Sequence, residues 1–589
     1  MAEYDYIICG GGTSGCVVAA RLAEEPHVRV LLIEAGEHNK DLENTRMVGG
    51  CAQLIGTAQD WNFKTVPQKH ANDREIELQR GKFLGGSSGV NGTLCIRGCK
   101  QDFDDWDLPG WSGEEVFEAM RRTETFHDKD WFEAAGGAHG RQGPLHTEPH
   151  DLAPISKLVL QSMQSKGLQL DHDMFSTGDT AHGCGHVPRT HYRGLRTTGA
   201  DFITNENHRD TIDIVVNATV DKVNLTDTSH GWRATSVDVV LADGQRKTFV
   251  AHREIIVSGG SYCTPAILMR SGIGPRQELE KNGICCKVPS PGVGRNLQDH
   301  LIVFTFYEVS EPGLTTDEKI WHGNALAKSY ASWKEDKSGF LSTFPFGAFA
   351  YARLDDRLHD ADLWQRARAD TAPSRDPMGL TTKQPHVEYF NTECYAGPRF
   401  YDQRPVNGEH AFAMITELFS PRSRGTVTLN SKDPLDNPVI DCNYLADPLD
   451  VLVLAEGARL GNEIIMNGES TKSVVKGSWP ADLTHHTYNS REDWVPHVRQ
   501  HATTCYHPAG TARMGKAGDE FAVLNEKLQV RGVQGLRVAD CSVMPNLHGG
   551  HTQMVAYAIG ERAADFIKHD GDEVNDCVCR IDSVQDVKC

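Results

Sequence analysis

The sequence predicts an α/β fold that opens with a strand–turn–helix–strand unit of a parallel sheet. Three observations carry this. Tyr4–Cys9 reads as a short buried strand with the apolar run Tyr6–Cys9, Gly10–Gly15 is a glycine-rich turn, and Val28–Ile33 reads as a second buried strand closed by Glu34. Between the runs, Cys16–Ala23 has the small-residue face of a helix packed on a sheet. Two buried strands joined through a helix imply parallel pairing with a crossover connection.

The later elements follow in order. From 211 to 260 the pattern changes to alternating strands at Asp213–Val216, Lys222–Leu225, Ser236–Leu241 and Ile255–Val257. Such alternation marks half-buried strands. The stretch 310–380 has no simple period, is rich in charge, aromatics and Pro, and is expected to cover a substrate site. Arg424–Leu429 alternates like a strand, while Asp450–Ile465 and Thr552–Ile567 read as helices. The charged tail 568–589 shows no core-facing pattern.

Composition excludes several classes. The 589 residues carry a net charge of −20, a poor match for nucleic acid or an anionic membrane. No uncharged apolar run reaches the roughly 20 residues of a membrane helix. Met1–Asp5 is acidic where a secretory leader needs a basic start, so a cytoplasmic protein is expected. The sequons at Asn91, Asn217 and Asn224 then read as chance matches. The 16 cysteines show no CxxC pair and no zinc-finger spacing. They are expected to be mostly reduced and buried, without a metal; Cys577 and Cys579 supply only two ligands.

Gly10-x-Gly12-x-x-Gly15 lies between a strand and a helix, the context a dinucleotide fingerprint requires. Gly10 permits the tight turn, Gly12 lets backbone approach a pyrophosphate, and Gly15 allows close helix–strand packing. Thr13 and Ser14 then start a helix whose free N–H groups favour phosphate. Glu34, followed by Ala35, is placed to accept from ribose hydroxyls, which disfavours a 2′-phosphate. This segment alone leaves FAD and NAD both open.

Further segments resemble the glucose–methanol–choline (GMC) family of flavin oxidoreductases. Gly81-Lys82-Phe83-Leu84-Gly85-Gly86-Ser87-Ser88-Gly89-Val90-Asn91 is similar to its first signature, and Gly260–Gly274 to its second. Val293–His300, Ser423–Gly425, His507–Thr511 and Asp540–Pro545 follow in the family's order, ahead of His551 and a helix holding Glu561. The matches run from about residue 4 to 567.

The resemblance implies a two-domain fold: a Rossmann-like FAD-binding domain, and a substrate domain with an antiparallel sheet flanked by helices. The expected division is 1–155, 206–310 and 501–567 for FAD binding, 156–205 and 311–500 for substrate, and 568–589 as a tail. It places Gly86, Asn91 and Thr93 near the flavin, with Gly81, Ser87 and Gly92 in the same cradle. The Val220 backbone would pair with adenine, and Asp540 with Cys541 would meet the phosphate–ribityl region. Thr552 and Gln553 open a helix whose N–H groups suit negative charge at flavin N1 and O2. Some members attach FAD through a histidine just before the signature asparagine. Val90 stands there in this chain, so non-covalent FAD is expected. Cys95 is a second departure from the family pattern.

The family's catalytic pair corresponds to His507 and His551. Any one of 27 histidines is unremarkable, but His507 precedes the rigid Pro508, and His551 follows Gly549–Gly550 at a helix start. His548 and His501 lie nearby and serve as comparisons. Alcohol oxidation removes a proton from oxygen and a hydride from carbon. Imidazole takes the proton near neutral pH, and flavin takes the hydride. His507 is read as the base and His551 as the donor that orients the alkoxide, with the two roles interchangeable at this stage.

The expected activity is oxidation of an alcohol CH–OH group, with O₂ or another electron acceptor and no nucleic-acid or membrane partner. An aryl or aliphatic primary alcohol, or a specialised metabolite, is the expected substrate. Phe344–Tyr351 and Tyr389–Tyr401 are candidate pocket walls. Glu388, Glu393 and Glu417 are candidates for an ammonium-binding cage of the choline kind. The alternative is a hydroxynitrile lyase or another flavin-containing enzyme without net redox change.

Overall fold

Apolar runs without alternation form the centre of the first sheet. Tyr6–Cys9 and Val30–Ile33 are buried throughout, as central parallel strands require. The computed structural model describes residues 3–204, 211–397, 403–406 and 408–585, with side chains through Gly571 except that of Thr204. Phe400, Tyr401 and the side chains of Cys577 and Cys579 lie outside the described residues.

The sheet order is Ile212–Val215, Val30–Ile33, Glu3–Cys9, Arg246–Val257, Gly231–Leu241, Ala218–Thr228. The first four strands pair in parallel, with Tyr6 opposite Val30 and Ile7 opposite Ile255. The last three form an antiparallel meander. Leu536–Val538 joins in parallel beside Arg246–Val257.

Several elements differ from expectation at their ends. The first helix is Thr13–Leu22, because the Cys16 amide already donates to Gly12 O and closes the first turn. The second strand starts at Val30, since Val28 still closes a turn onto Glu25 O. The 424–429 strand narrows to Thr426–Thr428, paired with Val439–Asp441. The last helix runs Thr552–Gln585 rather than ending at Ile567. Lys568 bonds Glu24, and Asp570 bonds Lys527 and Arg537, which anchors the helix past that point.

The second sheet is antiparallel, in the order Val475–Ser478, Leu301–Val309, Ala411–Leu418, Val387–Thr392, Phe346–Ala352, Gly183–Gly185. The helix Pro448–Asn467 covers one face, where Tyr389 Oη donates to Gly457 O. Period two then decides the rest. Val387, Tyr389, Met414 and Leu418 enter the helix-side core, while Phe390, Ala413 and Ile415 join a separate cluster with Ile302 and Tyr351. Glu388 and Glu417 alternate onto that second face. Among the described residues no helix is long and apolar enough to cross a membrane.

Candidate active site

Four parallel strands of the first sheet run to one edge, where the residues beyond them are Gly10, Glu34, Ser258 and Asp540. Ligands of open α/β sheets bind outside such carboxyl ends. Here these residues line a cavity of about 730 Å³. The second sheet forms its far wall with Phe304, Phe390 and Ile415.

The glycine turn behaves as its spacing demands. Gly10 has φ +119°, and a side chain on Gly15 would lie 2.0 Å from Gly10 O. A Cβ on Gly12 would meet nothing within 4 Å, so its face is open to the cavity. No side chain caps the helix that begins at Thr13, which leaves its first N–H groups for a ligand. Glu34 is held by the Gly11 and Gly36 amides at 2.9 and 2.8 Å. Burial pushes its carboxyl up to about 7, although these amides favour the anion.

Of the residues expected to touch the cofactor, Gly10, Gly12, Thr13, Ser14, Glu34, Ala35, Gly81, Gly86, Ser87, Asn91, Gly92, Val220, Asp540, Cys541, Thr552 and Gln553 line the cavity. Gly15 and Thr93 do not. Gly15 packs against Gly10, and Thr93 is fully buried with its hydroxyl donating to Gly92 O. Asp540 accepts from the Gly260 amide, the Thr264 hydroxyl and the Ser542 amide. Asn91 donates to Gln553 Oε1, tying the first signature to the last helix. Four lining residues, Gln79, Arg80, Ser258 and Tyr262, carry buried side-chain polar atoms with no hydrogen-bond partner among the described residues. An open glycine face, uncapped helix amides and unpaired donors fit a dinucleotide with a diphosphate.

At the other end of the cavity stand His507 and His551, ring centroids 4.5 Å apart at 64°. The His507 amide donates to Asp299 Oδ1 at 2.8 Å, and the His551 amide to Ile96 O at 3.1 Å. His507 Nδ1 lies 3.2 Å from Glu417 Oε1, and His551 Nε2 lies 2.8 Å from Glu388 Oε2 and 3.4 Å from Glu417 Oε2. His300 Nδ1 adds contacts of 3.0 Å to Glu417 and 3.1 Å to His507. His548 and His501 are not on the wall.

Burial and these contacts give the two rings different charge states. Burial and the neighbouring His551 charge hold His507 well below the usual imidazole range, so it is neutral. Burial also pulls His551 down, but the Glu388 and Glu417 carboxylates outweigh it and raise it, so it is a cation. Glu417 stays ionised despite burial because His551, His300 and His507 surround it.

The glutamates change their expected place. Glu388 and Glu417 do not line the cavity; they stand behind the histidines and form no ammonium cage. Glu393 accepts from the Ala153 amide and Ser156 hydroxyl, beside His150. Reading the sequence missed Glu388, Glu417 and His300 as partners of the pair. Each glutamate was visible as a lone carboxylate in an otherwise uncharged, buried strand.

Residues 4–302 and 421–560 match the two family models described as GMC oxidoreductase. The chain belongs to the GMC oxidoreductase family. Like other GMC oxidoreductases it is an FAD-binding oxidoreductase of mixed α/β, two-domain fold. Pyranose dehydrogenase 3 of Leucoagaricus meleagris is 30% identical, over 96% of this chain and 93% of its own length. An acceptor-dependent alcohol dehydrogenase of Pseudomonas putida is 30% identical, over 96% and 95%. A solved formate oxidase matches with TM-score 0.89 and 30% identity, covering 97% of this GMC chain and 99% of that one. A fungal aryl-alcohol oxidase matches with TM-score 0.80 and 25% identity, covering 97% and 99%.

Proposed function

We propose that this GMC oxidoreductase oxidises the CH–OH group of an apolar primary alcohol, aryl or aliphatic. What carries the reading is a neutral and a charged histidine side by side on the wall of an apolar chamber. Ile302, Phe304, Trp321, Phe346, Phe390 and Ile415 line the same cavity as the pair. A pyranose would leave several hydroxyls unpaired against such a wall, at a desolvation cost for each. An aryl or alkyl chain leaves none. Both an aryl-alcohol oxidase and sugar dehydrogenases are similar to this chain, and the apolar lining favours the first kind of substrate.

Bound FAD supplies the hydride acceptor. The protein supplies the proton chemistry. Ionised Glu417 faces His507 Nδ1, which keeps the proton there and leaves Nε2 as the ring's acceptor for the substrate hydroxyl proton. Positive His551 donates to the developing alkoxide and stabilises it in a site shielded from water. Phe390 packs edge-on to His551, with centroids 6.1 Å apart, and gives that ring one apolar neighbour. O₂ or another electron acceptor completes the cycle. Val90 lines the cavity and has no nucleophilic atom, which supports non-covalent FAD.

The test is an anaerobic titration of the flavin absorbance with benzyl alcohol, a medium-chain primary alcohol and glucose. Bleaching by the first two and not by glucose is expected. Bleaching by glucose alone would defeat the apolar reading. No bleaching by any alcohol would defeat alcohol oxidation and favour chemistry without net redox change.

A further inference from the structure

We propose that the inner side of the histidine pair is a binding site for one thiophilic divalent cation of the zinc class, held by Glu417, Cys505, His507 and His551. Each offers one ligand atom, and the four atoms lie within 4.8 Å of one another. Glu417 Oε2 is 3.0 Å from Cys505 Sγ and 3.4 Å from His551 Nε2, and Glu417 Oε1 is 3.2 Å from His507 Nδ1. Carboxylate, thiolate and imidazole are the donor types of tetrahedral zinc, whose bonds of about 2.0–2.3 Å set ligand atoms roughly 3.3–3.8 Å apart. Bringing every pair within that range therefore takes a closure of no more than about one ångström.

Charge favours a doubly positive ion here. The Glu417 carboxylate and the Cys505 thiolate balance it, and Glu388 Oε2, 2.8 Å from His551 Nε2, receives the proton that ring gives up, so no unpaired interior charge is left. Cys505 gives up its thiol proton and His551 its Nε2 proton as the ion enters. The thiolate selects against magnesium and calcium, which take oxygen ligands in larger number. One outer partner is already in place: His300 Nδ1 sits 3.0 Å from Glu417. Access exists too, because Cys505, His507 and His551 all line the cavity.

The consequence is inhibition. An ion on His507 Nδ1 forces the remaining ring proton onto Nε2, the acceptor that alcohol oxidation needs. An ion on His551 Nε2 removes the proton that makes that ring a cation. The site shares residues with the proposed catalytic pair, but ion binding requires no substrate. It can be read without turnover.

The experiment uses the FAD-loaded enzyme, stripped of metal with a chelator and dialysed. Zn²⁺ is titrated by calorimetry and counted by elemental analysis, and Co²⁺ serves as the spectroscopic probe. One ion per chain and a thiolate-to-cobalt charge-transfer band are expected, with activity lost and then restored by chelator. Cys505→Ser keeps a hydroxyl for Glu417 but removes the thiolate; at least about tenfold weaker binding and no band are expected. Its flavin spectrum reports whether the fold is intact, and Glu417→Gln gives an independent loss of binding. Cys285→Ser, at an exposed thiol elsewhere, should change neither readout. No bound ion, binding unaltered by Cys505→Ser, or a band abolished by Cys285→Ser would each overturn the site.

Discussion

Glu388 and Glu417 stand directly opposite each other on adjacent antiparallel strands, both fully buried, and His551 Nε2 lies within 3.4 Å of each. Like charges at such a cross-strand pair repel. The arrangement holds because His551 carries a proton between them, while burial and the facing Glu417 push the Glu388 carboxyl up. Tyr351 continues the row on the next strand, opposite Glu388. One polar row across an otherwise apolar sheet face thus sets the charge of His551 on the cavity wall.

Loss of the base is the first consequence to test. His507→Ala is expected to slow anaerobic flavin reduction by the alcohol by at least about 10²-fold, the usual scale for general-base removal. Flavin content should stay near that of the parent protein. Stopped-flow bleaching at saturating alcohol measures it, and an unchanged rate would remove His507 from that role.

Glu417→Gln keeps the size of the side chain but not its charge. The amide no longer selects the Nδ1-protonated form of His507, and it leaves Glu388 alone to hold His551 as a cation. The expected effect is a fall in kcat of about 10-fold or more with a smaller change in KM. The alkaline limb of the pH profile should move to lower pH. A changed KM with an unmoved pH profile would mean that Glu417 only shapes the pocket.

The pH dependence of flavin reduction follows from the two opposite shifts. His507 is depressed, so it stays neutral and competent well below the usual imidazole range near 6.5. His551 is raised, so its charge is lost only well above that range. The rate should therefore form a broad plateau across neutrality, falling in acid as His507 protonates and in alkali as His551 deprotonates. A single step centred near 6.5 would contradict the pairing.

Val90 predicts how the flavin leaves. Acid precipitation should release all the FAD into the supernatant, where its absorbance is counted against protein. Yellow colour retained on the washed pellet would show a covalent bond.

Away from the site, Glu124 is buried on Arg97 at 2.8 Å and His139 at 3.1 Å. Burial opposes its charge, but Arg97 and His139 outweigh it and hold its carboxyl at about 2. A depressed carboxyl stabilises the fold above the unfolded value of about 4.3 and loses that contribution as pH falls toward the folded one. Glu124→Gln should lower the melting temperature at pH 7 and flatten its decline between about pH 5 and 2. An equal loss at every pH in that range would assign the effect to packing alone.

Much of the cofactor end was legible because its demands are local. A tight turn at Gly10, an open face at Gly12 and close packing at Gly15 are requirements on consecutive residues, and an acid ending the next strand is a matter of strand length. The ends of elements were less legible. Thr13 joins the helix because the Cys16 amide bonds back to Gly12 O, and the last helix continues because Asp570 finds Arg537 and Lys527 far away in the chain. Thr93 shows the same limit: it belongs to the motif, yet its left-handed backbone and its bond to Gly92 leave it off the cavity wall.

By itself, the sequence determined the α/β class, the dinucleotide turn, the family resemblance and the two histidines, since each is written in short-range spacing and residue type. Only the tertiary structure decided what those histidines are. A ring's charge depends on which groups surround it, and here they come from strands that are distant in the chain and meet only when the antiparallel sheet sets its register. That register turns Glu388 and Glu417 from candidate ligands for a cation into the groups that make His551 a cation, and that charge together with burial leaves His507 neutral.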